Sequence, residues 1–189
     1  MKTCELRGEM ATEPRTHPWS DSTTNAAFRY RDLKAEPALI RTALEDLVPW
    51  SAYPAIEELY VLLERLNGPG SRLESSDCAF TGPEPNEVAS YPKELQCTGR
   101  IIVLFRDLVA NTSRPRVEAL KDELHHALVP LDPQLEWGMI GTTLVPVRYV
   151  ALPADGHQLM ISFWAWGDAE VELMGTLRRV IANLSRALR

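Results

Sequence analysis

Two stretches in the first third of the chain carry apolar residues at helical spacing. In residues 36–48 apolar side chains recur every three or four positions, and Pro37 suits the first turn of a helix. A second stripe occupies residues 54–66, after a break at residues 49–53. We therefore expect an N-terminal αα-hairpin that buries its apolar stripes and exposes its charged side chains. The exposed acidic residues include Glu57, Glu58 and Glu64.

The second half of the chain alternates strand patterns with helix patterns. Residues 100–106 form a β-rich apolar run with charged ends, which is typical of a strand buried on both faces. Residues 138–150 and 157–166 predict a β-hairpin, and helical stripes before Pro130 and after Asp168 predict two helices. The predicted order is β-α-β-β-α, which resembles a split βαβ sheet that lacks one strand.

Residues 1–24 and 67–98 carry no convincing apolar periodicity. The first segment, which contains Trp19, predicts a flexible tail whose deletion changes the stability of the protein very little. The second segment is rich in proline and glycine and predicts a long loop, of a kind that is often functional in a compact domain. Within it, residues 73–80 could supply the strand that the predicted sheet lacks.

These elements add up to one α+β domain over residues 25–189, preceded by the tail. Residues 25–98 would form an acidic helical hairpin with a long loop, and residues 99–189 a β-α-β-β-α core with a small mixed or antiparallel sheet covered by helices. A chain of 189 residues with 45% hydrophobic and 24% charged residues has the size and composition of an ordinary globular domain.

Composition and charge exclude several classes of partner. The net charge of −6 argues against a nucleic-acid partner, because binding to phosphates usually needs a basic face. No apolar run approaches the ~18 residues that cross a membrane, and the charged N-terminus is unlike a secretory signal. The odd set of Cys4, Cys78 and Cys97, without a Cys-x-x-Cys pair, is typical of reduced thiols. We expect a cytoplasmic protein with no membrane partner.

Few residues offer catalytic or metal-binding chemistry. Cys78, beside Asp77, could act as a nucleophile if the fold brought His125, His126 or His157 to it, although no known nucleophile motif surrounds it. Asp122 and His126 have metal-ligand spacing but lack a third donor, so a solvated helix face is the favoured interpretation. No glycine-rich phosphate loop occurs. The sequence therefore predicts neither a cofactor nor a metal.

Aromatic residues and uneven charge suggest a binding surface instead. Residues 36–98 hold eleven acidic and four basic side chains. Trp164 and Trp166 share one face of a strand and are either core residues or an interface anchor. Trp50 and Tyr53, at the break between the predicted helices, leave the same alternatives.

Two hypotheses follow. In the first, the chain is a protein-binding module that docks an acidic surface on a basic protein, as inhibitors of the immunity type or adaptors do; this is an analogy of type only. In the alternative, it is a small hydrolase-like cytosolic enzyme with a pocket under the 67–98 loop. The oligomeric state stays open. The predicted partner-binding residues are Trp50, Tyr53, Glu57, Glu58, Glu64, Asp77 and Glu84.

Overall fold

The protein has a mixed α/β fold with a six-stranded open sheet and five helices in the part of the chain that the structure describes. The structure is a computed structural model that describes residues 2–5, 15–18, 30–42, 56–88, 90–152 and 154–188. The strands are β1 (Lys2–Glu5), β2 (Arg15–His17), β3 (Leu73–Pro85), β4 (Leu95–Phe105), β5 (Gly138–Tyr149) and β6 (Ala154–Gly167). The helices are α1 (Leu39–Thr42), α2 (Glu57–Asn67), α3 (Leu108–Asn111), α4 (Arg114–Leu128) and α5 (Glu170–Ala187).

The sheet has the order β1-β5-β6-β4-β3, and β2 also pairs with β5. β6 is antiparallel to both of its neighbours, so β4 and β5 are parallel with β6 inserted between them. The α4 crossover connects these two strands, which is the split βαβ arrangement. β3 pairs antiparallel with β4 and forms one edge of the sheet.

The 67–98 segment is not the long loop that its composition suggests, because 13 of its residues form β3. The strand reaches beyond the 73–80 stretch, but its register with β4 shifts between Ser75 and Asp77 and again between Thr81 and Glu84. These two irregularities interrupt the two-residue alternation by which a strand is recognised in a sequence. Pro83 and Pro85 are tolerated because β3 has only one neighbour.

Two stretches of the predicted N-terminal tail also lie in the sheet. β1 pairs parallel with β5 at Met139–Thr142, and β2 pairs parallel with β5 at Val147–Tyr149. Strands of four and three residues are too short to carry a readable period, and they derive their order from β5. Pro146 of β5 falls between the two paired stretches, where its missing N–H donor costs no pairing with β1 or β2.

The main core lies between the sheet and three helices. α5 packs across β6, β4 and β5, α4 packs on β5 and β6, and α2 packs on β3 and α5. The strands contribute alternate, fully buried side chains to this core, since successive residues of a strand point to opposite faces. These include Ile101, Val103, Ile161, Phe163 and Ala165.

The predicted αα-hairpin is only partly covered by the structure. α2 matches the second predicted helix, and α1 matches the middle of the first. The remainder of that helix and the break after it, residues 43–55, lie outside the described residues. None of the described helices combines the length and apolar character needed to cross a membrane.

Candidate functional site

The face of the sheet that points away from α2, α4 and α5 forms a groove of about 430 Å³. Its floor consists of side chains from β3, β4, β5 and β6 that alternate with the core residues. Cross-strand pairing places them in rows, with Thr81, Thr98 and Trp164 in one row, Ala79, Arg100 and Ser162 in the next, and Asp77, Ile102 and Met160 in a third. We call this surface the open face.

Packed side chains lie on the same sheet near both ends of the groove. At one end Tyr91 stacks on Trp166, with ring centroids 4.1 Å apart and planes within 5°. At the other end Leu104, Val147 and Tyr149 form a small second core. The volume of the groove lies in the range typical of ligand sites.

Arg100 is the one cationic side chain among the described residues that line this groove. Its Nε and Nη2 atoms both donate to Oδ2 of Asp77, at 3.3 and 3.2 Å. Within the described part of the chain, the guanidinium pairs with Asp77, and 40% of the arginine side chain is exposed. The ion pair therefore holds the Nε–Nη2 edge of the guanidinium against Asp77, while the arginine side chain stays partly exposed.

The two tryptophans of β6 have different environments. Trp166 is buried and stacked on Tyr91, and its Nε1 atom has no hydrogen-bond partner among the residues that the structure describes. Trp164 is half-buried and lines the groove. Of the two residues that the sequence assigns to core or interface, Trp166 belongs to the interior and Trp164 is available as an anchor.

A buried polar cluster that the sequence does not predict lies beyond the second core. His17 and Glu74 are both almost completely buried, with His17 Nε2 4.0 Å from Glu74 Oε1. Lys34 Nζ lies 2.5 Å from the other oxygen of Glu74, which neutralises this buried carboxylate. The rings of Tyr30 and Tyr149 meet His17 edge-on, at centroid distances of 5.0 and 5.8 Å. This cluster fastens β2 to the body of the protein.

We expect the cluster to make stability depend on pH. Burial, followed by the charge of Lys34, lowers the pKa of His17 from 6.5 to about 4. The unfolded chain therefore binds a proton at His17 more readily than the folded protein does, so stability falls as the pH drops from 6.5 towards 4. Thermal melts at half-unit pH intervals should show a shallower loss in His17→Gln than in wild type. Parallel pH profiles for the two proteins would contradict this.

The candidate nucleophile and bases are not brought together. Asp77 and Cys78 are successive strand residues, so Asp77 lies on the open face and Cys78 on the helix face. His125 Nε2 is 2.8 Å from Thr142 Oγ1, and Thr142 is separated from Cys78 by β6 and β4, which corresponds to about 14 Å. Ile161 of β6 lies in the same row as Cys78, and His157 is ~13 Å from Ile161 along β6.

The electrostatic environment of these residues also disfavours catalysis. Burial raises the pKa of the thiols of Cys78 and Cys97 to about 12, so neither forms the thiolate nucleophile readily. His126 is exposed, and its Nδ1 donates to the carbonyl oxygen of Asp122 at 2.8 Å. Burial lowers the pKa of His157. The described residues contain no group of three or more His, Cys, Asp or Glu side chains that could hold a metal ion.

The acidic side chains of α2 are paired within the chain. Arg41 Nη1 is 2.8 Å from Glu57 Oε2, and Arg41 Nε is 2.6 Å from Glu64 Oε1. Hydrogen bonds from Arg41 lower the pKa of both carboxyl groups. Glu58 lies 4.0 Å from Arg178 Nε. Arginines of the same chain therefore pair with much of the negative charge that was expected to bind a basic partner.

The remaining predicted partner-binding residues are dispersed. Glu84 lies at the far end of β3, where it accepts a hydrogen bond from Gln96 Nε2 at 3.2 Å. Trp50 and Tyr53 lie outside the described residues. Of the predicted set, Asp77 alone lines up with the groove residues, in one row with Ile102 and Met160.

Comparison with known proteins identifies no relative of this chain. No protein-family model matches the chain, and no curated protein or solved structure is significantly similar to it.

Proposed function

We propose that the chain is a protein-binding module and that it docks its partner on the open face of the sheet, around Trp164. The observation that carries this proposal is the groove, which is lined by a half-buried tryptophan together with Met160 and Arg100. Trp, Met and Arg are enriched in the centres of protein interfaces, and Trp and Arg are the commonest residues whose truncation abolishes binding.

The open face is a better contact surface than the acidic helix α2. Arg41 already binds Glu57 and Glu64, so a basic partner would have to displace this arginine before it could pair with the two carboxylates. The groove demands no such exchange, because Trp164 and Met160 are already accessible at its surface.

A binding role also agrees with the dispersal of the candidate catalytic residues, which lie on two faces of the sheet. An inhibitor of the immunity type and an adaptor both act by docking in this way, and the proposal includes both roles. It also includes a cytoplasmic location, which the three free cysteines favour.

Selection of peptides on the folded protein tests the proposal. We expect a displayed library of random 12-residue peptides to yield binders for the wild-type protein, and Trp164→Ala to weaken those binders by about 30-fold or more, as truncation of a central interface tryptophan does. Fluorescence anisotropy of the labelled peptides measures the affinity.

The matched control is the double variant Glu57→Gln with Glu64→Gln, which alters α2 and leaves the open face intact. Its affinities should equal those of the wild type. Peptides that bind Trp164→Ala as tightly as wild type, or that lose affinity only in the α2 variant, would contradict docking on the open face. Circular dichroism verifies that both variants are folded.

A further inference from the structure

Asp77 holds the guanidinium of Arg100 in the groove through only some of its N–H donors. Asp77 engages the Nε and Nη2 side of Arg100 through one oxygen, at 3.3 and 3.2 Å. A guanidinium carries five N–H donors, and two parallel donors on its Nη1–Nη2 edge match the two oxygens of a carboxylate. Asp77 thus restricts the arginine through its Nε–Nη2 edge, while 40% of the arginine side chain stays exposed.

We infer that Arg100 binds a carboxylate of the docked segment, the side chain of an aspartate or glutamate in the partner protein. This inference rests on the proposed function, since it names what the open face recognises. The ion pair with Asp77 makes Arg100 a preorganised donor, which lowers the entropy that must be lost when a second anion binds.

The composition of the groove selects a peptide carboxylate over a nucleic-acid phosphate. Arg100 is the single cationic residue among the described groove residues, whereas binding to a nucleic-acid backbone needs several cations. Around the guanidinium the floor is formed by Trp164, Ile102 and Met160, which suit apolar side chains. The occupant therefore combines one acidic residue with a neighbouring apolar one.

The spacing of the rows sets the spacing of those two residues. Trp164 and Ile102 lie in the rows on either side of the Arg100 row, and neighbouring rows are two strand residues or about 6.6 Å apart. An extended peptide places the side chains of residues i and i+2 on one face at the same spacing. The docked segment accordingly has Asp or Glu two positions from a large apolar residue.

The 12-residue display library described above tests this, with four proteins as bait: wild type, Arg100→Gln, Arg100→Lys and Asp77→Asn. Peptides selected by the wild type should be enriched in Asp or Glu at two positions from a large apolar residue. Replacing that acid by its amide should weaken binding to the wild type about 10- to 100-fold, the range for a charge-assisted hydrogen-bonded pair, and binding to Arg100→Gln by less than about 3-fold.

The other two variants separate charge from geometry. Arg100→Lys keeps the charge but lacks the paired donors, so it should retain a smaller preference for the acid. Asp77→Asn keeps the arginine but loosens its orientation, so its preference should also fall. Melting curves verify that each bait is folded, and the 40% exposure of Arg100 allows its replacement.

Two outcomes would contradict different conclusions. Peptides that depend on Trp164 but show equal affinity for the acid and amide forms would overturn the role of Arg100 and leave docking on the open face in place. Peptides whose affinity is unchanged in Trp164→Ala would overturn the docking proposal itself.

Discussion

Deleting residues 2–24 is expected to lower the midpoint of thermal unfolding by about 10 °C. The deletion removes β1 and β2, which cover the outer edge of β5, and it removes His17 from its place against Tyr149 and Glu74. A loss of about 3–5 kcal/mol corresponds to such a shift in a domain of this size. The flexible tail predicted from the sequence would leave the midpoint nearly unchanged.

A shorter deletion of residues 2–12 is the matched control, because it removes β1 and keeps β2 with His17. Its midpoint should lie between those of the wild type and the longer deletion. Scanning calorimetry measures all three proteins. If both truncated proteins melted with the wild type, the two N-terminal strands would contribute nothing to stability, and the prediction of a dispensable tail would hold.

The second large effect is expected at Phe163, which is fully buried on the helix face of β6. Phe163→Ala should destabilise the protein by about 3–5 kcal/mol through lost burial and the cavity that remains. Urea denaturation followed by far-UV circular dichroism measures the change. A loss below about 1 kcal/mol would show that the core collapses into the vacated space.

Gly99, the cross-strand neighbour of Phe163, provides a more stringent test of this contact. A Cβ atom at position 99 would lie 2.3 Å from Phe163 Cζ and 3.0 Å from the carbonyl oxygen of Ala79. Gly99→Ala alone should therefore cost about 1–3 kcal/mol by overpacking. In the Phe163→Ala background most of that cost should disappear. Additive effects in the double variant would mean that the ring does not rest on Gly99.

Helices and strands that bury one face in the core are readily recognised in the sequence. The helical stripes of α4 and α5 and the alternation along β6 are readable because most of the residues that face the core, such as Ile161 and Phe163, are apolar. β3 is harder to recognise because two register shifts interrupt its alternation. β1 and β2 contain four and three residues and cannot show a period at all.

The candidate site is predictable only in part. Trp164 stands out in the sequence because it alternates with core residues in a hairpin strand. The pairing of Arg100 with Asp77 depends on the register of β3 against β4 after a bulge, which no single-sequence pattern specifies. Likewise, the burial of His17 depends on β2 reaching β5, more than a hundred residues later in the chain.

The position of β1 beside β5 has a consequence for the order of events during synthesis. Lys2 pairs with Met139, so the roughly 140 residues from one to the other must be synthesised before this strand can find its partner. At a translation rate of about 5–20 residues per second, the N-terminal segment waits on the order of 10 s. Because β3 and β4 lie between β1 and β5 in the sequence, both are synthesised before β1 can join the sheet.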